Sequence, residues 1–442
     1  MTHRRATVST QPNPAVSHET HDVHPGAAWS VAKEVAPGPR FFRNTEKMAD
    51  LSAENWGAAE DSGLINMFLE CRPDGRLRDD RSGAEFYNMS SYSYLGLNVH
   101  PNVVRGGIDA LTEQAATGLG ITPTRMRPRI MRDAHEQLSE LWDAQCLLSV
   151  SCSVATAGLL PLVSSGHLVD GKPRVTVFDK RSHFCMDYVK PICADEAPVL
   201  VSPHNDLNFL EDVCKNNNRV AYVADGAYSM GGLADMDGLL ELQDRYGLFL
   251  WMDDSHAIST IGTEGQGYVR SHLNEVNDLT LITGSLEKGF GCSGGVVMMS
   301  KGADSSFVNS FAGPMCWSQT PSIANLGSIL ASTQIHKTAE LADLQRGLRR
   351  HMEYFDSRIS TESAGSLMPV RALPVGERDL AITLAQRLLV EGFYSAPVYF
   401  PVTSRGKEGL RVMIRANVPD QELRRFVDLL EELVVPHMAG RQ

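Results

Sequence analysis

The chain has 442 residues, of which 43% are hydrophobic and 21% charged, values ordinary for a globular enzyme with a large core and room for a second, smaller domain. Its 53 acidic and 41 basic residues give a formal net charge of −12, which argues against a general nucleic-acid or anionic-membrane binder. The eight cysteines form no C-x-x-C pair, and no apolar run resembles a membrane span or signal sequence. Reduced thiols, no metal site and a soluble, cytoplasmic protein are therefore expected.

The first 98 residues are predicted to precede the main domains. Residues 1–45 are rich in Pro, Ser, Thr and His without apolar periodicity, which predicts a flexible leader. His18, His21 and His24 could bind a metal ion, but a polar tail is the preferred interpretation. Residues 46–98 are predicted to form an N-terminal arm.

Residues 99–334 alternate helical and strand-like segments and are predicted to form the large domain. "DAHEQLSELWDAQ" places Leu138, Leu141 and Trp142 at helical spacing, with Asp133 as the expected N-cap. Short apolar runs follow, beginning near residues 174, 198, 219, 248, 279 and 295. Apolar runs buried on both faces and alternating with helices predict an α/β layer with a mostly parallel sheet.

Residues 335–442 show a different pattern and are predicted to form a smaller C-terminal α+β domain. A long helical segment, "AELADLQRGLRRHMEYFDSRI", leads into shorter mixed elements. The chain then ends in a strand-like "LRVMIRA" and a helical "DQELRRFVDLLEELVV".

Polar side chains follow four of the large-domain strands, at the edge where open α/β sheets bind ligands. In chain order they are Asp179 and His183, Asp225 and Ser229, Asp253 and His256, and Lys288. Lys288 lies in "TGSLEKGFGCSGG", among small residues that would let a flat group approach its amine. This convergence indicates a binding site more strongly than any one motif does.

The set suits pyridoxal 5′-phosphate (PLP), which needs a lysine, a carboxylate facing its pyridine nitrogen and a phosphate cradle. A lysine at the end of a buried strand suits Schiff-base chemistry, because desolvation favours the neutral amine. Asp253 is the candidate carboxylate, and His256 could bind the ring hydroxyl. "SCSVATAGLL", from Ser151, offers amides at an expected helix N-terminus for the phosphate, and Ser285 could add a hydroxyl. Taken singly, each feature has a plainer interpretation: a lone lysine is more often a solvated loop residue, "DDSH" could be a turn or an N-cap, and "GCSGG" could be flexible backbone.

In chain order the motifs resemble those of the α-oxoamine synthases, a PLP-dependent family of the aspartate-aminotransferase fold, known as fold type I. The resembling segments are "NMSSYSYLGL", "TGLGITPTR", "DKRSHF", "SPHND", "DGAYSMGG", "MDDSHAISTIGTEGQG", "TGSLEKGFGCSGG", "CWSQTPS" and "GLRVMI". They span about residues 85 to 435. The "DDSH" and "SLEK" spellings lean toward the branch of the α-hydroxyketone autoinducer synthases.

The resemblance implies roles around the cofactor ring. Lys288 would hold PLP covalently and later move the α-proton of the amino acid. Asp253 would pair with the ring nitrogen, and His256 would contact the ring hydroxyl. His183 would stack on the ring face, and Ser229 would lie near the ring oxygen or the acyl carbonyl.

The resemblance also implies the substrates and the assembly. Ser285, with Ser318 or Thr320 from a partner subunit, would bind phosphate, and Arg411 would bind the amino-acid carboxylate. The family condenses an amino acid with an acyl thioester, usually with loss of carbon dioxide, to give an α-amino ketone. Its sites form across a dimer interface, so a homodimer is implied.

Several positions depart from the family pattern, and they lie near the substrate or phosphate. Tyr92 replaces an asparagine close to the amino-acid substrate, and Gly231 stands where an aspartate is common. Cys152 and Ser153 replace the usual Gly-Phe before the phosphate-binding helix. An arginine cluster begins at Arg125 and is either a substrate or acyl-carrier-protein contact or a solvated approach to a helix. These departures suggest an unusual amino acid or acyl donor, as in specialised biosynthesis.

Other functions use part of the same evidence. A PLP-dependent aminotransferase or aldolase-type enzyme of this fold would use the same lysine and aspartate without a thioester. A non-catalytic partner of this fold typically lacks the lysine, which is present here as Lys288. A Rossmann nucleotide-binding unit fits poorly, because "GLGITP" lacks the third glycine and follows no clear strand.

Overall fold

A computed structural model of the chain describes residues 44–72 and 74–438. The leader with His18, His21 and His24 lies outside the described residues. The α-helices of the described part are α1 Asn44–Asp61, α2 Pro101–Gln114, α3 Arg129–Trp142, α4 Cys152–Ser164, α5 Phe184–Asp187, α6 Lys190–Glu196, α7 Leu207–Asn216, α8 Met236–Tyr246, α9 Tyr268–Ser271, α10 Ser305–Phe311, α11 Gly313–Trp317, α12 Ile323–His336, α13 Ala339–Arg358, α14 Arg378–Val390 and α15 Asp420–Leu433.

The β-strands of the described part form three sheets. They are β1 Leu69–Cys71, β2 Leu77–Asp79, β3 Glu85–Asn88, β4 Gln145–Ser149, β5 Val175–Asp179, β6 Val199–Ser202, β7 Val220–Asp225, β8 Phe249–Asp253, β9 Thr280–Ser285, β10 Gly295–Met299, β11 Val370–Pro374, β12 Phe393–Tyr394, β13 Ala396–Val398 and β14 Gly409–Met413. Within this same range, no helix combines the length and apolar character needed to cross a membrane.

The largest sheet has seven strands in the order β4-β10-β9-β8-β7-β5-β6. Strands β5 to β9 pair in parallel, whereas β10 runs antiparallel to both β9 and β4. Strands β7, β8 and β10 are buried along their whole length, as expected for strands covered by helices on both faces. The predicted α/β layer with a mostly parallel sheet is confirmed.

The predicted start of helix α3 is wrong. The helix begins at Arg129, and Pro128 occupies the N-cap position with φ −65° and ψ 143°. The fixed φ of proline suits entry into a helix. Asp133, expected to be the N-cap, lies inside the helix and pairs with Arg129 across one turn at 3.6 Å.

The C-terminal part contains the three-stranded antiparallel sheet β11-β14-β13, together with helices α13 to α15. Arg371 on β11 is fully buried, and its Nε and Nη2 atoms donate to the two oxygens of Asp356 at 2.6 and 2.7 Å. In the four-stranded sheet β1-β2-β3-β12, strand β3 pairs in parallel with β12 from the C-terminal part. Residues of the predicted N-terminal arm are therefore bound to this region by backbone hydrogen bonds.

Candidate active site

Asp253 is at the carboxyl end of β8 and is only 3% exposed. Its Oδ1 accepts the backbone N–H of Ser255 at 2.9 Å. Its Oδ2 faces two thiols, Cys152 Sγ at 3.5 Å and Cys185 Sγ at 3.8 Å. Thiols are weak donors, so Oδ2 can accept a stronger hydrogen bond from a ligand.

Asp225 is the cross-strand neighbour of Asp253 in the β7–β8 register. Its Oδ2 accepts the backbone N–H of His183 at 2.8 Å. Burial, together with the nearby charge of Asp253, raises the pKa of Asp225 well above its ordinary value. The His183 side chain is exposed, and one of its ring nitrogens lies within 4.8 Å of both Cys185 Sγ and an Asp253 oxygen.

His256 is buried behind Asp253, and its Nδ1 lies 2.7 Å from the hydroxyl of Tyr94. Burial lowers the pKa of His256 well below its ordinary value, so the ring is neutral. Burial also raises the pKa of Tyr94, so its hydroxyl keeps its proton and can donate to Nδ1. This arrangement leaves the imidazole proton on Nε2, where it can be donated to a ligand.

Lys288 follows the end of β9 by three residues and is half-buried. Its Nζ lies 5.7 Å from the ring centroid of Tyr92. A Cβ atom on Gly289 would lie 2.6 Å from the carbonyl oxygen of Ile258, and one on Gly291 would lie 2.5 Å from backbone atoms of the β3–α2 connection. These glycines therefore let the lysine loop pack against other backbone, in addition to leaving room beside the amine.

Helix α4 provides an anion site next to Asp253. Ser151 is its N-cap and accepts the N–H of the third helical residue at 3.2 Å, while the first-turn amides have no acceptor within the helix. Gly295 allows β10 to approach closely, because a Cβ there would lie 2.4 Å from the nitrogen of Cys152. The backbone N–H of Ser285 donates to Ser255 Oγ at 2.8 Å, which fixes Ser285 near the same helix end.

Alternate residues of "NMSSYSYLGL" contact three different parts of the site. Ser90 Oγ donates to the carbonyl oxygen of Arg411 at 2.6 Å, Tyr92 lies beside Lys288, and Tyr94 binds His256. Arg411 on β14 is half-buried, and its Nε has no hydrogen-bond partner among the described residues. Burial lowers the pKa of Arg411, which indicates a poorly solvated guanidinium suited to an incoming carboxylate.

Four predicted site residues make no hydrogen bond or ion pair with this group in the described part of the chain. Ser318 Oγ donates to the carbonyl oxygen of Pro314 at 2.6 Å. Next to Arg125, the Thr124 hydroxyl donates to the carbonyl oxygen of Cys316 in α11 at 2.8 Å. In the described part of the chain, no hydrogen bond or ion pair joins Lys288 or Asp253 to Ser229, Ser318, Thr320 or Arg125. For Ser318 and Thr320 this agrees with the expectation that they act on a partner subunit, which stays a prediction.

Sequence reasoning missed three residues of this region. Tyr94 lies within a recognised motif, and its position two residues after Tyr92 was the available signal. Cys185 follows His183 by two residues, but nothing in its spacing indicated a contact with Asp253. Asp254 is fully buried, its Oδ2 accepts a backbone N–H at 3.0 Å, and burial raises its pKa to about 7.

The residues present fit PLP. Among the described residues, Asp253 Oδ2 is buried and has no strong hydrogen-bond donor, and Arg411 Nε has no partner. The α4 N-terminus is approached by a strand whose close packing requires glycine. The lysine, carboxylate and anion-binding helix end that PLP requires thus lie on one edge of one sheet.

Comparison with known proteins agrees with this arrangement. Residues 197–430 match the family described as aminotransferase class I and II. An 8-amino-7-oxononanoate synthase from Alkaliphilus metalliredigens is 26% identical over 362 residues, 80% of this chain and 88% of that protein. A serine palmitoyltransferase from Bacteriovorax stolpii is 24% identical over 78% of this chain and 81% of its own length.

A solved structure shares the fold. It is a serine palmitoyltransferase variant from S. paucimobilis with a bound PLP–myriocin aldimine, and it superposes with a TM-score of 0.75 at 16% identity, covering 88% of this chain and 98% of that one. Both kinds of relative are α-oxoamine synthases, so the predicted family resemblance and the fold-type-I prediction are confirmed.

Proposed function

The chain belongs to the aminotransferase class I and II family, and we propose that it is a PLP-dependent C-acyltransferase that condenses an amino acid with an acyl thioester to give an α-amino ketone, with loss of carbon dioxide. The observation that carries the proposal is the convergence of Lys288, Asp253 and His256 beside an unpartnered Arg411. The assignment to the autoinducer-synthase branch stays a prediction.

Each side chain has a defined task toward the cofactor. Asp253 Oδ2 would accept a hydrogen bond from the protonated ring nitrogen, His256 Nε2 would donate to the ring hydroxyl, and His183 would cover one ring face. The first turn of α4, with Ser151, would hold the phosphate. When bound, PLP supplies an electron-withdrawing ring that stabilises negative charge at the α-carbon of the amino acid.

Lys288 is the proton-transfer residue of the proposal. Its Nζ, beside the Tyr92 ring, would take the α-proton of the amino acid and later return a proton to the product. The adjacent Tyr92 ring shields one side of this amine from water. Burial raises the pKa of the Tyr92 hydroxyl, and the nearby charge of Glu287 raises it further. The Tyr92 side chain therefore stays neutral.

Arg411 and Tyr92 would position the amino acid. The guanidinium of Arg411 would bind the carboxylate, and Tyr92 would limit the side chain that fits beside Lys288. Because a tyrosine fills more space than the family's asparagine, we expect a small amino acid or one that stacks on the ring. The Tyr92→Asn variant should then accept amino acids that the parent excludes, measured as the ratio of kcat/KM for two substrates. An unchanged preference would contradict this role.

A homodimer is part of the proposal. Exposed large apolar side chains of α2, of the loop after it and of α11 would be covered by a second copy: Val104, Ile108, Leu119, Met126 and Trp317. Ser318 and Thr320, next to Trp317, would then approach the partner's phosphate site. An exposed basic cluster around Arg125 would be available to the acidic groups of an acyl-carrier protein or to the phosphates of coenzyme A. Light scattering of purified protein tests the dimer.

The Lys288→Ala variant tests the function. Borohydride reduction of the parent with PLP should fix the cofactor on Lys288, found by peptide mass, whereas the variant should retain none. The parent should exchange the α-proton of its amino acid in heavy water and release thiol only when an acyl thioester is added. A Lys301→Ala variant, which alters an exposed lysine paired with Asp143, serves as the control.

The products separate this proposal from its alternatives. An aminotransferase would give a keto acid and an aldolase-type enzyme an aldehyde, both without thiol release. Covalent PLP in Lys288→Ala, or product formation without a thioester, would show that the proposal is wrong.

A further inference from the structure

Three atoms of metal-ligand type converge beside the end of β8. An oxygen of Asp253, the sulfur of Cys185 and a ring nitrogen of His183 lie within 4.8 Å of one another. The sulfur of Cys152 lies against the same carboxylate, 3.5 Å from Oδ2. Imidazole, thiolate and carboxylate groups are the ligands that Zn²⁺ takes in proteins.

The distances fit a small tetrahedral ion. With Zn–S bonds of about 2.3 Å and Zn–O bonds of about 2.0 Å, a tetrahedron places sulfur and oxygen about 3.5 Å apart. The two sulfurs, of Cys152 and Cys185, lie 3.5 and 3.8 Å from Asp253 Oδ2. His183 is exposed, and its Nδ1 accepts the backbone N–H of Cys185 at 3.3 Å, so Nε2 is the ring nitrogen that would complete the set.

The charges of the neighbourhood also favour a cation. Asp253 and Asp225 are opposite each other on β8 and β7, and each is 3% exposed. Within residues 44–72 and 74–438, no ion pair reaches either carboxylate. Two adjacent buried carboxylates are costly unless one of them keeps a proton, as the raised pKa of Asp225 indicates, or a cation compensates them.

We infer that the cofactor-free chain binds a thiophilic divalent cation, Zn²⁺ being the type, through Cys185, Asp253 and His183, with Cys152 as the fourth ligand. Binding converts the thiols to thiolates and releases their protons to solvent. The ion would occupy the space in front of Asp253 that the ring nitrogen of PLP takes, so the two ligands exclude each other. Only this exclusion rests on the proposed function; binding of the metal does not.

Cobalt is the probe, because Co²⁺ takes the same ligands and reports thiolate bonds by absorbance. Full-length protein freed of PLP is titrated with Co²⁺ and then with Zn²⁺. We expect one equivalent of Co²⁺ to give thiolate-to-metal absorbance that Zn²⁺ abolishes. The Cys185→Ser variant should bind at least about tenfold more weakly. The Cys152→Ser variant should lose part of the absorbance. Cys214→Ser, a change at another buried thiol on α7, should bind as the parent does.

The leader provides the competing explanation, since His18, His21 and His24 could also bind the probe. A variant with all three changed to alanine should keep the thiolate absorbance. If affinity follows these histidines, or if Cys185→Ser binds as the parent does with unchanged thermal unfolding, the inference is wrong.

A second titration, with PLP present, separates this inference from the proposed function. A rise in the apparent Co²⁺ dissociation constant in proportion to PLP supports mutual exclusion. Normal PLP binding without any Co²⁺ binding overturns the metal site and leaves the proposed function intact. Simultaneous binding of Co²⁺ and PLP would overturn the exclusion and the placement of the ring nitrogen against Asp253.

Discussion

The hydrogen bond between Tyr94 and His256 makes a specific prediction about stability and cofactor binding. Both groups are buried, and the hydroxyl oxygen lies 2.7 Å from Nδ1. In Tyr94→Phe the ring and its packing remain, but Nδ1 is left buried without a donor. An unsatisfied buried group of this kind costs about 1–3 kcal/mol, so the unfolding equilibrium constant should rise about 5- to 150-fold.

The same substitution should weaken PLP binding. Without the Tyr94 donor, the proton of the neutral His256 ring is no longer held on Nε2, from which it would be donated to the hydroxyl of the cofactor ring. Loss of this one oriented hydrogen bond should reduce the affinity for PLP about tenfold, equivalent to about 1.4 kcal/mol. Urea unfolding of the cofactor-free protein gives the first quantity, and fluorescence titration with PLP gives the second.

Tyr268→Phe is the matched control. Its hydroxyl donates to the carbonyl oxygen of Ala234 at 2.9 Å, and within the described residues it makes no hydrogen bond to His256, Asp253 or Lys288. We expect this variant to lose about 1 kcal/mol of stability and to bind PLP normally. If Tyr94→Phe were as stable as the parent, or if both variants lost the same affinity for PLP, the proposed role of Tyr94 in orienting His256 would be refuted.

Three further predictions concern pH, packing and charge. Burial raises the pKa of Asp254 to about 7, so between about pH 4 and 7 the folded chain holds a proton on this group that the unfolded chain lacks. This linkage should lower the free energy of unfolding by on the order of 4 kcal/mol as the pH rises across the window. Because Asp225 also has a raised pKa, the test is the difference between the parent and Asp254→Asn in urea unfolding at several pH values, which should change by that amount. Gly295→Ala should displace the start of α4 and weaken PLP binding, whereas Gly302→Ala, with open space around its Cβ, should not. Arg371→Met should cost about 3–5 kcal/mol of unfolding free energy, because it leaves the partly buried carboxylate of Asp356 without its partner. Removing the exposed Arg358 should cost much less, because solvent screens its ion pairs.

Much of the large sheet could be predicted from local sequence, because strands buried on both faces read as continuous apolar runs. "RVAYVAD" and "LFLWMD" correspond to β7 and β8, and each ends on the aspartate that faces the site. The sequence predicts site roles for Lys288, Asp253 and His256 because each lies at the end of a predicted strand or within a few residues of one. Their proposed roles stay predictions until tested.

What could not be predicted depends on contacts between distant segments. The thiols of Cys152 and Cys185 meet Asp253 only when α4, α5 and β8 are assembled, and no spacing reports that meeting. The antiparallel direction of β10 likewise depends on pairing with β9 and β4. The apolar run "GVVMM" predicts a buried strand but not its direction. Asp133 resembles an N-cap because it is an acidic residue before an apolar repeat. The helix nevertheless begins at Arg129, after Pro128 in the N-cap position, so Asp133 lies inside it.

The position of β10 has a consequence for synthesis of the chain. Among the described strands, β4 pairs in the large sheet only with β10, so its backbone hydrogen bonds to that sheet cannot form until residues near 300 have left the ribosome. The parallel strands β5 to β9 can pair earlier, as each emerges. The phosphate end of the pocket is therefore completed after the Asp253 end. We expect nascent chains that stop before β10 to bind PLP poorly even where Lys288 is already present.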